Sequence, residues 1–274
     1  MKDFNGKVVV ITGAGSGIGR ALAMAFAKQG AKLALNDYHA QNLEETVAML
    51  GSAMVKTWVF DVSNREAVYT FADNVVAHFG TVDIVINNAG VALGKQRVQD
   101  VQYEDFEWLM GINFWGVVYG TKAFLPHLMT RPEASLVNIS SVFGLGGIAT
   151  QSAYCSSKFA VRGFTESLRM EAFLQDSNIT ITTVHPGGID TNIVRNQREF
   201  SSKEDHEKFI KRFQKNALTT PGGAAETIMK GIQKKSTRVL IGKDARMMDR
   251  LIRLLPERFT KIILKQMKMR KLSD

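Results

Sequence analysis

Residues Lys7–Ile11 (KVVVI) form an unbroken apolar, β-branched run, the pattern of a strand covered on both faces. The period then changes. Small residues fill Thr12–Gly19 (TGAGSGIG). Apolar positions next recur at helical spacing from Arg20 to Gln29, with Leu22 and Phe26 inward and Gly30 placed to end the helix. Lys32–Asn36 (KLALN) reads as a second strand. Strand, glycine-rich turn, helix and strand make a βαβ unit, whose crossover is right-handed. The alternation continues with strands predicted over Val55–Phe60, Val82–Ile86, Ser135–Ile139, Ile179–Val184 and Thr237–Ile241. Helices are predicted over Leu43–Leu50, Arg65–Phe79, Tyr103–Leu128, Ser152–Leu174 and Gly223–Lys234. This order predicts an α/β fold: a single-domain Rossmann-type doubly wound parallel sheet of about seven strands, over residues 1–242. Arg246–Leu255 and Glu257–Lys271, divided at Pro256, add a helical C-terminal extension over 243–274.

Composition narrows the class. Of 274 residues, 45% are apolar and 22% charged, ordinary for a soluble globular chain. The N-terminal segment reads as neither a signal peptide nor a membrane span, and the lone cysteine, Cys155, suits a cytoplasmic location. The five histidines show no ligand-like clustering, so no metal site is expected. Net charge is +9, and residues 243–274 hold ten Lys/Arg against four Asp/Glu, or +6 of it. The body is therefore nearly balanced and the basic character belongs to the tail. Phe259, Ile262, Ile263 and Met267 could line one apolar face there, beside Lys261, Lys265, Lys268, Arg270 and Lys271. Such a helix can lie peripherally on an anionic membrane, or pack on its own body or on a partner subunit, and packing is the reading we favour. No groove-reading motif accompanies the charge, so nucleic acid is not an expected partner.

Gly13, Gly15, Gly17 and Gly19 lie where a strand turns into a helix, with Ser16 and Ile18 between them. Glycines let a backbone approach a phosphate, and the helix start offers free N–H groups to a pyrophosphate. The spacing T-G-x-x-x-G-x-G differs from the general G-x-G-x-x-G form. Asp37, ending the second strand, can accept hydrogen bonds from the adenosine ribose hydroxyls and would repel a 2′-phosphate, so NAD is favoured over NADP. Asp61 and Val62, after the third strand, could line the adenine.

Tyr154 and Lys158 lie four apart and would share a helix face. A phenol near pKa 10 is a poor base, and a neighbouring ammonium is expected to lower it. Such a tyrosine can take a proton from an alcohol or give one to a carbonyl. Ser141, upstream on a glycine-rich loop, can hold the same substrate oxygen, with Ser140 as its competitor.

Together, TGAGSGIG at 12–19, NNAG at 87–90, Asn113, Ser141, YCSSK at 154–158 and PGGIDT at 186–191 make the chain resemble the short-chain dehydrogenase/reductase family, from about Gly6 to Ile241. The resemblance implies roles. Tyr154 would be the general acid/base, Lys158 would lower its pKa and bind the nicotinamide ribose, and Ser141 would orient the substrate oxygen. Asn113 would hold a water relaying protons from Lys158. Asn87, Ala89 and Gly90 would stabilise the sheet and border the adenosine. Ile189 and Thr191 would contact the nicotinamide carboxamide, with Pro186 and Gly187 shaping that turn. Homodimers or homotetramers would form through the helices holding Asn113 and Tyr154.

Val91, Leu93, Phe143, Leu145, Ile148, Ile193 and Val194 follow the strand ends, which suggests a lipophilic secondary alcohol or ketone; they could equally close the core. Arg195–Lys215, with Phe200, Phe209 and Phe213, is the expected lid. The competing readings are an NADP-dependent carbonyl or 3-oxoacyl reductase, a catalytically silent NAD-binding regulator, and a sugar epimerase or dehydratase that would share the Tyr/Lys pair. The intact Ser141–Tyr154–Lys158 set argues against the silent regulator.

Overall fold

The computed structural model describes residues 1–195, 197–198, 204, 206–207, 210–211 and 219–272, with side chains described as far as 265. Seven strands form one parallel sheet: β1 (Val8–Thr12), β2 (Lys32–Asp37), β3 (Val55–Val59), β4 (Ile84–Asn87), β5 (Ala134–Ile139), β6 (Ile179–Pro186) and β7 (Arg238–Ile241). Their order is β3-β2-β1-β4-β5-β6-β7. The chain runs outward one way from β1 to β3, then restarts at β4 on the other side. A crevice therefore opens between the carboxyl ends of β1 and β4, where such sheets bind ligands.

Alternation along each strand builds two cores. Val9, Ile11, Leu33, Leu35, Ile84 and Ile86 face Leu22 and Phe26 of α1 (Gly17–Ala27), Leu43 of α2 (Ala40–Ala48) and Ala224 and Ile228 of α7 (Pro221–Gln233). Val8, Val10, Val85 and Leu136 face Phe71 and Val75 of α3 (Arg65–Phe79) and Phe124 of α5 (Gly116–Met129), with Leu168 of α6 (Ser152–Leu174) packed alongside. Strands sandwiched this way must be apolar on both sides, which is why they read as unbroken runs.

Two details stand out against the sequence expectation. α1 begins at Gly17 rather than Arg20, because the end of the glycine turn is already helical. The helix expected over Tyr103–Leu128 is divided: α4 (Tyr103–Met110) passes into a π turn (Gly111–Trp115) before α5. A π turn inserts one residue, and an apolar repeat is too coarse to show it. Beyond Ile241 the chain continues as two helices, as expected. α8 (Lys243–Leu254) is tied to β7 through Arg238, whose guanidinium grips Asp249, while Arg253 binds the same carboxylate at 3.0 Å. α9 (Phe259–Leu272) follows. No helix among the described residues is long and apolar enough to cross a membrane.

Candidate active site

The glycine turn is built by exclusion. A Cβ on Gly13 would lie 2.8 Å from the Ala89 Cα, one on Gly15 2.8 Å from the Asp37 carboxylate, and one on Gly19 2.1 Å from the Gly13 carbonyl oxygen. Gly17 has φ +52° and faces Thr191, whose side chain would stand 3.1 Å from a Cβ there. The turn thus brings together the ends of β1, β2, β4 and β6, including Asp37, Ala89 and Thr191. The Asp37 carboxylate accepts the Gly15 N–H at 2.8 Å and the His39 N–H at 2.9 Å. Ser16 caps α1 without a side-chain hydrogen bond, and no acidic residue occupies the first turn. A helix start free of competing carboxylate, behind a cradle that side chains would fill, fits a dinucleotide's phosphates.

Asn88, to which the sequence reading gave no part, holds this turn in place. Its Nδ2 donates to the carbonyls of Thr12 (2.9 Å) and Gly13 (3.1 Å), while the Thr12 hydroxyl accepts the N–H groups of Asn88 and Ala89 at 3.1 Å. Asn87 points the other way, as strand alternation requires. Its amide is buried and donates to Asn138 Oδ1 (2.8 Å) and Thr121 Oγ1 (3.2 Å). Of the two parts the resemblance gives Asn87, this geometry serves the sheet-stabilising one. Asn138 passes the network to Thr165 on α6 at 3.0 Å. The NNAG sequence hid this division, because two adjacent asparagines look alike until the strand fixes their faces. Asp61 accepts the Ser63 N–H at 2.9 Å, and Val62 is buried against Gly116 of α5.

Tyr154 and Lys158 share a face of α6, with the Lys158 ammonium 5.7 Å from the Tyr154 ring centre. Lys158 is buried and donates to the Ile139 carbonyl at 3.2 Å. Gly90 lies close by: a Cβ there would be 3.3 Å from Asn113 Oδ1 and 3.4 Å from Lys158 Nζ. Asn113 is fully engaged, accepting the Val91 N–H (2.8 Å) and donating to the Val91 carbonyl (2.9 Å) and Ser157 Oγ (3.1 Å). Its side chain thus clamps the loop after β4. Ser140 is spent on the Lys158 carbonyl at 2.8 Å, which leaves Ser141 as the serine whose hydroxyl influences Tyr154; its Oγ also accepts the Phe143 N–H at 3.1 Å.

Burial dominates the electrostatics. It pushes the Tyr154 phenol up to about 12, opposed by the Ser141 hydrogen bond, and pulls Lys158 down to about 8. The sequence reading expects a lowered phenol. The structure gives the opposite direction because desolvation penalises both charged forms. Beneath Ser141 lies His185 on β6, unmarked by the motifs. Its Nδ1 lies 3.0 Å from the Ser141 carbonyl and so carries the proton it donates there, while Nε2 is buried without a partner among the described residues. Burial, first among several influences, holds His185 down at about 4, so the ring is neutral at physiological pH.

Leu93, Leu109 and Ala153 form a small apolar cluster with Val91, Phe106, Trp108 and Tyr154. Leu145 and Val194 are also buried, and Phe143 meets Tyr154 edge-on at 6.0 Å. Arg198 bridges to Leu93 and stacks its guanidinium 3.8 Å over Trp108. Phe200, Phe209 and Phe213 of the expected lid lie outside the described residues. Pro186 ends β6, the Gly187 N–H donates to Ile241 (2.9 Å), and Ile189 is buried where it bridges to Thr219.

A family model described as short chain dehydrogenase matches residues 7–202. The chain belongs to the short-chain dehydrogenase family. It is 46% identical over 266 residues to the oxidoreductase SadH of Mycobacterium tuberculosis, covering 96% of each chain. It is 36% identical over 270 residues to estradiol 17-beta-dehydrogenase 11 of Pongo abelii, covering 96% of this chain and 83% of that protein. Among solved structures, a Burkholderia phymatum family member in complex with NAD superposes with a TM-score of 0.86 at 29% identity, covering 97% of both chains. Membership makes this an oxidoreductase built on a nicotinamide-binding fold.

Proposed function

We propose that the protein transfers a hydride between NAD(H) and a lipophilic secondary alcohol or ketone, with Tyr154 as general acid/base. The carrying observation is the convergence of Ser141, Tyr154, Lys158 and Asn113 at the carboxyl ends of β4 and β5, beside the glycine turn. When bound, the nicotinamide supplies the hydride or accepts it. The chain's own residues do the rest. Gly13, Gly15, Gly17, Ile18 and Gly19 bind the pyrophosphate, and Asp37 receives the adenosine ribose. Lys158, between the Ile139 carbonyl and Tyr154, binds the second ribose and biases the phenol. Ser141 orients the substrate oxygen. Tyr154 donates its proton to a carbonyl oxygen in reduction and takes one from a hydroxyl in oxidation.

Asp37 supports NAD over NADP, since its carboxylate would oppose a 2′-phosphate. The apolar cluster around Leu93 and Trp108 supports a lipophilic substrate, as does likeness to a dehydrogenase named for estradiol. Trp115 on the π turn and Phe159, Met170 and Phe173 on α6 are exposed, which supports homodimerisation through these helices. Phe259 is buried, which favours packing of the tail on the body over a membrane surface. The test is an NADH-coupled screen of secondary alcohols and ketones, with NADP(H) in parallel and Tyr154→Phe as control. Turnover of small polyols alone, or equal turnover by Tyr154→Phe, would defeat the reading.

A further inference from the structure

We infer that Asp244, in the first turn of α8, is a positioning residue for the nicotinamide side of the cofactor site. The inference rests on the cofactor reading above. Three observations meet at this carboxylate. Its Oδ2 accepts the Gly188 N–H at 2.6 Å, inside the turn that follows Pro186. Gly187 leaves no room for a side chain, since a Cβ there would lie 2.2 Å from both carboxylate oxygens. Gly242 meets it from the other side: a Cβ would lie 2.3 Å from Oδ1, on a backbone at φ +96° that favours glycine. Oδ1 itself is buried with no hydrogen-bond partner among the described residues.

A buried carboxylate oxygen without a donor is costly, so something must hold it there. The packing around it does so. Asp249, one turn and a residue further along α8, is fixed to Arg238 of β7. Ile252 and Phe259 press on Gly146 of the loop after Ser141, where a Cβ would meet them at 2.7 and 2.8 Å. The segment after β7 therefore braces two loops at once. It reaches the Ser141 loop by apolar contact and the Pro186–Thr191 turn by one charge-assisted hydrogen bond. The second contact fixes the Gly188 peptide, and with it the neighbouring Ile189 and Thr191. The Gly187–Gly188 pair is the sequence mark of this arrangement: one residue clears the carboxylate and the next donates to it.

The test measures NADH affinity directly, by fluorescence titration of the full chain, alongside kcat and KM. Asp244→Ala should weaken NADH about tenfold or more, the worth of one hydrogen bond to a charged group. KM for the cofactor should rise with it and kcat should change less. Asp244→Asn, which keeps an acceptor for Gly188, should recover most of that loss. Gly187→Ala should displace the carboxylate and cost about as much as Asp244→Ala. Because both break the same contact, the double variant should be no worse than the worse single one. Affinity of Asp244→Ala within about twofold of wild type, or additive losses in the double variant, overturns the proposal. Should Asp244→Ala fail to fold, Gly187→Ala decides: unchanged NADH affinity overturns it. Wild type that binds neither NADH nor NADPH overturns the cofactor reading itself, and the proposal with it.

Discussion

Removing the Lys158 charge should move the pH at which Tyr154 can act as a base. Burial raises the phenol from 10.0 to about 12, which corresponds to about 3 kcal/mol against the phenolate. An ammonium 5.7 Å from the ring centre, at an effective dielectric constant of about 20, returns about 3 kcal/mol. That attraction is worth about two pH units to the phenol while Lys158 stays charged. Burial holds Lys158 itself near 8, so this help is present below that pH and fades above it. The perturbation is Lys158→Met, which keeps the apolar stem and removes the charge. The assay is kcat/KM for the alcohol at saturating NAD, followed by NADH absorbance across neutral and alkaline pH. For wild type, oxidation should rise with pH and level off on the alkaline side. For Lys158→Met the rise should shift upward by about two pH units, a loss of about 100-fold on the shared limb. Saturating cofactor separates this from the weaker ribose contact. A variant profile that overlays the wild-type one, lowered uniformly, would refute the electrostatic argument and leave Lys158 only a binding role.

Other outcomes test other levels of the structure. Gly19→Ala puts a methyl 2.1 Å from the Gly13 carbonyl, so it should cost about 1–3 kcal/mol of stability and abolish NADH binding, read by thermal melt and titration. Asn138→Ala strips partners from Asn87 and Thr165 at the centre of the sheet; chemical denaturation should show a loss of about 2–3 kcal/mol. Arg238, and after it Arg253, holds the Asp249 carboxyl down at about 2, so the ion pair stabilises the fold fully above the ordinary value of 3.8 and fades as pH falls toward 2. Asp249→Asn should therefore lower the melting temperature at pH 7, and the gap to wild type should narrow below pH 4. His185→Ala should lower kcat through the Ser141 loop, and His185→Asn, which retains a donor, should restore part of it; equal damage by both would reduce the ring to packing.

Hydrophobic period and glycine placement were enough to place the seven strands along the chain and to single out the glycine turn, Tyr154, Lys158 and Ser141 as candidates, because each rests on short-range rules. A strand covered on both faces must be an apolar run; residues four apart on a helix share a face; a close backbone approach excludes side chains. Contacts between distant segments were invisible to such rules. Only the folded chain turned Asn88 toward Gly13 and Asn87 toward Asn138, set His185 beneath Ser141, and brought Asp244 back across the sheet edge to Gly188. Only burial could reverse the direction expected for Tyr154, since the cost of desolvation depends on what the rest of the chain packs around a group and not on its neighbours in sequence.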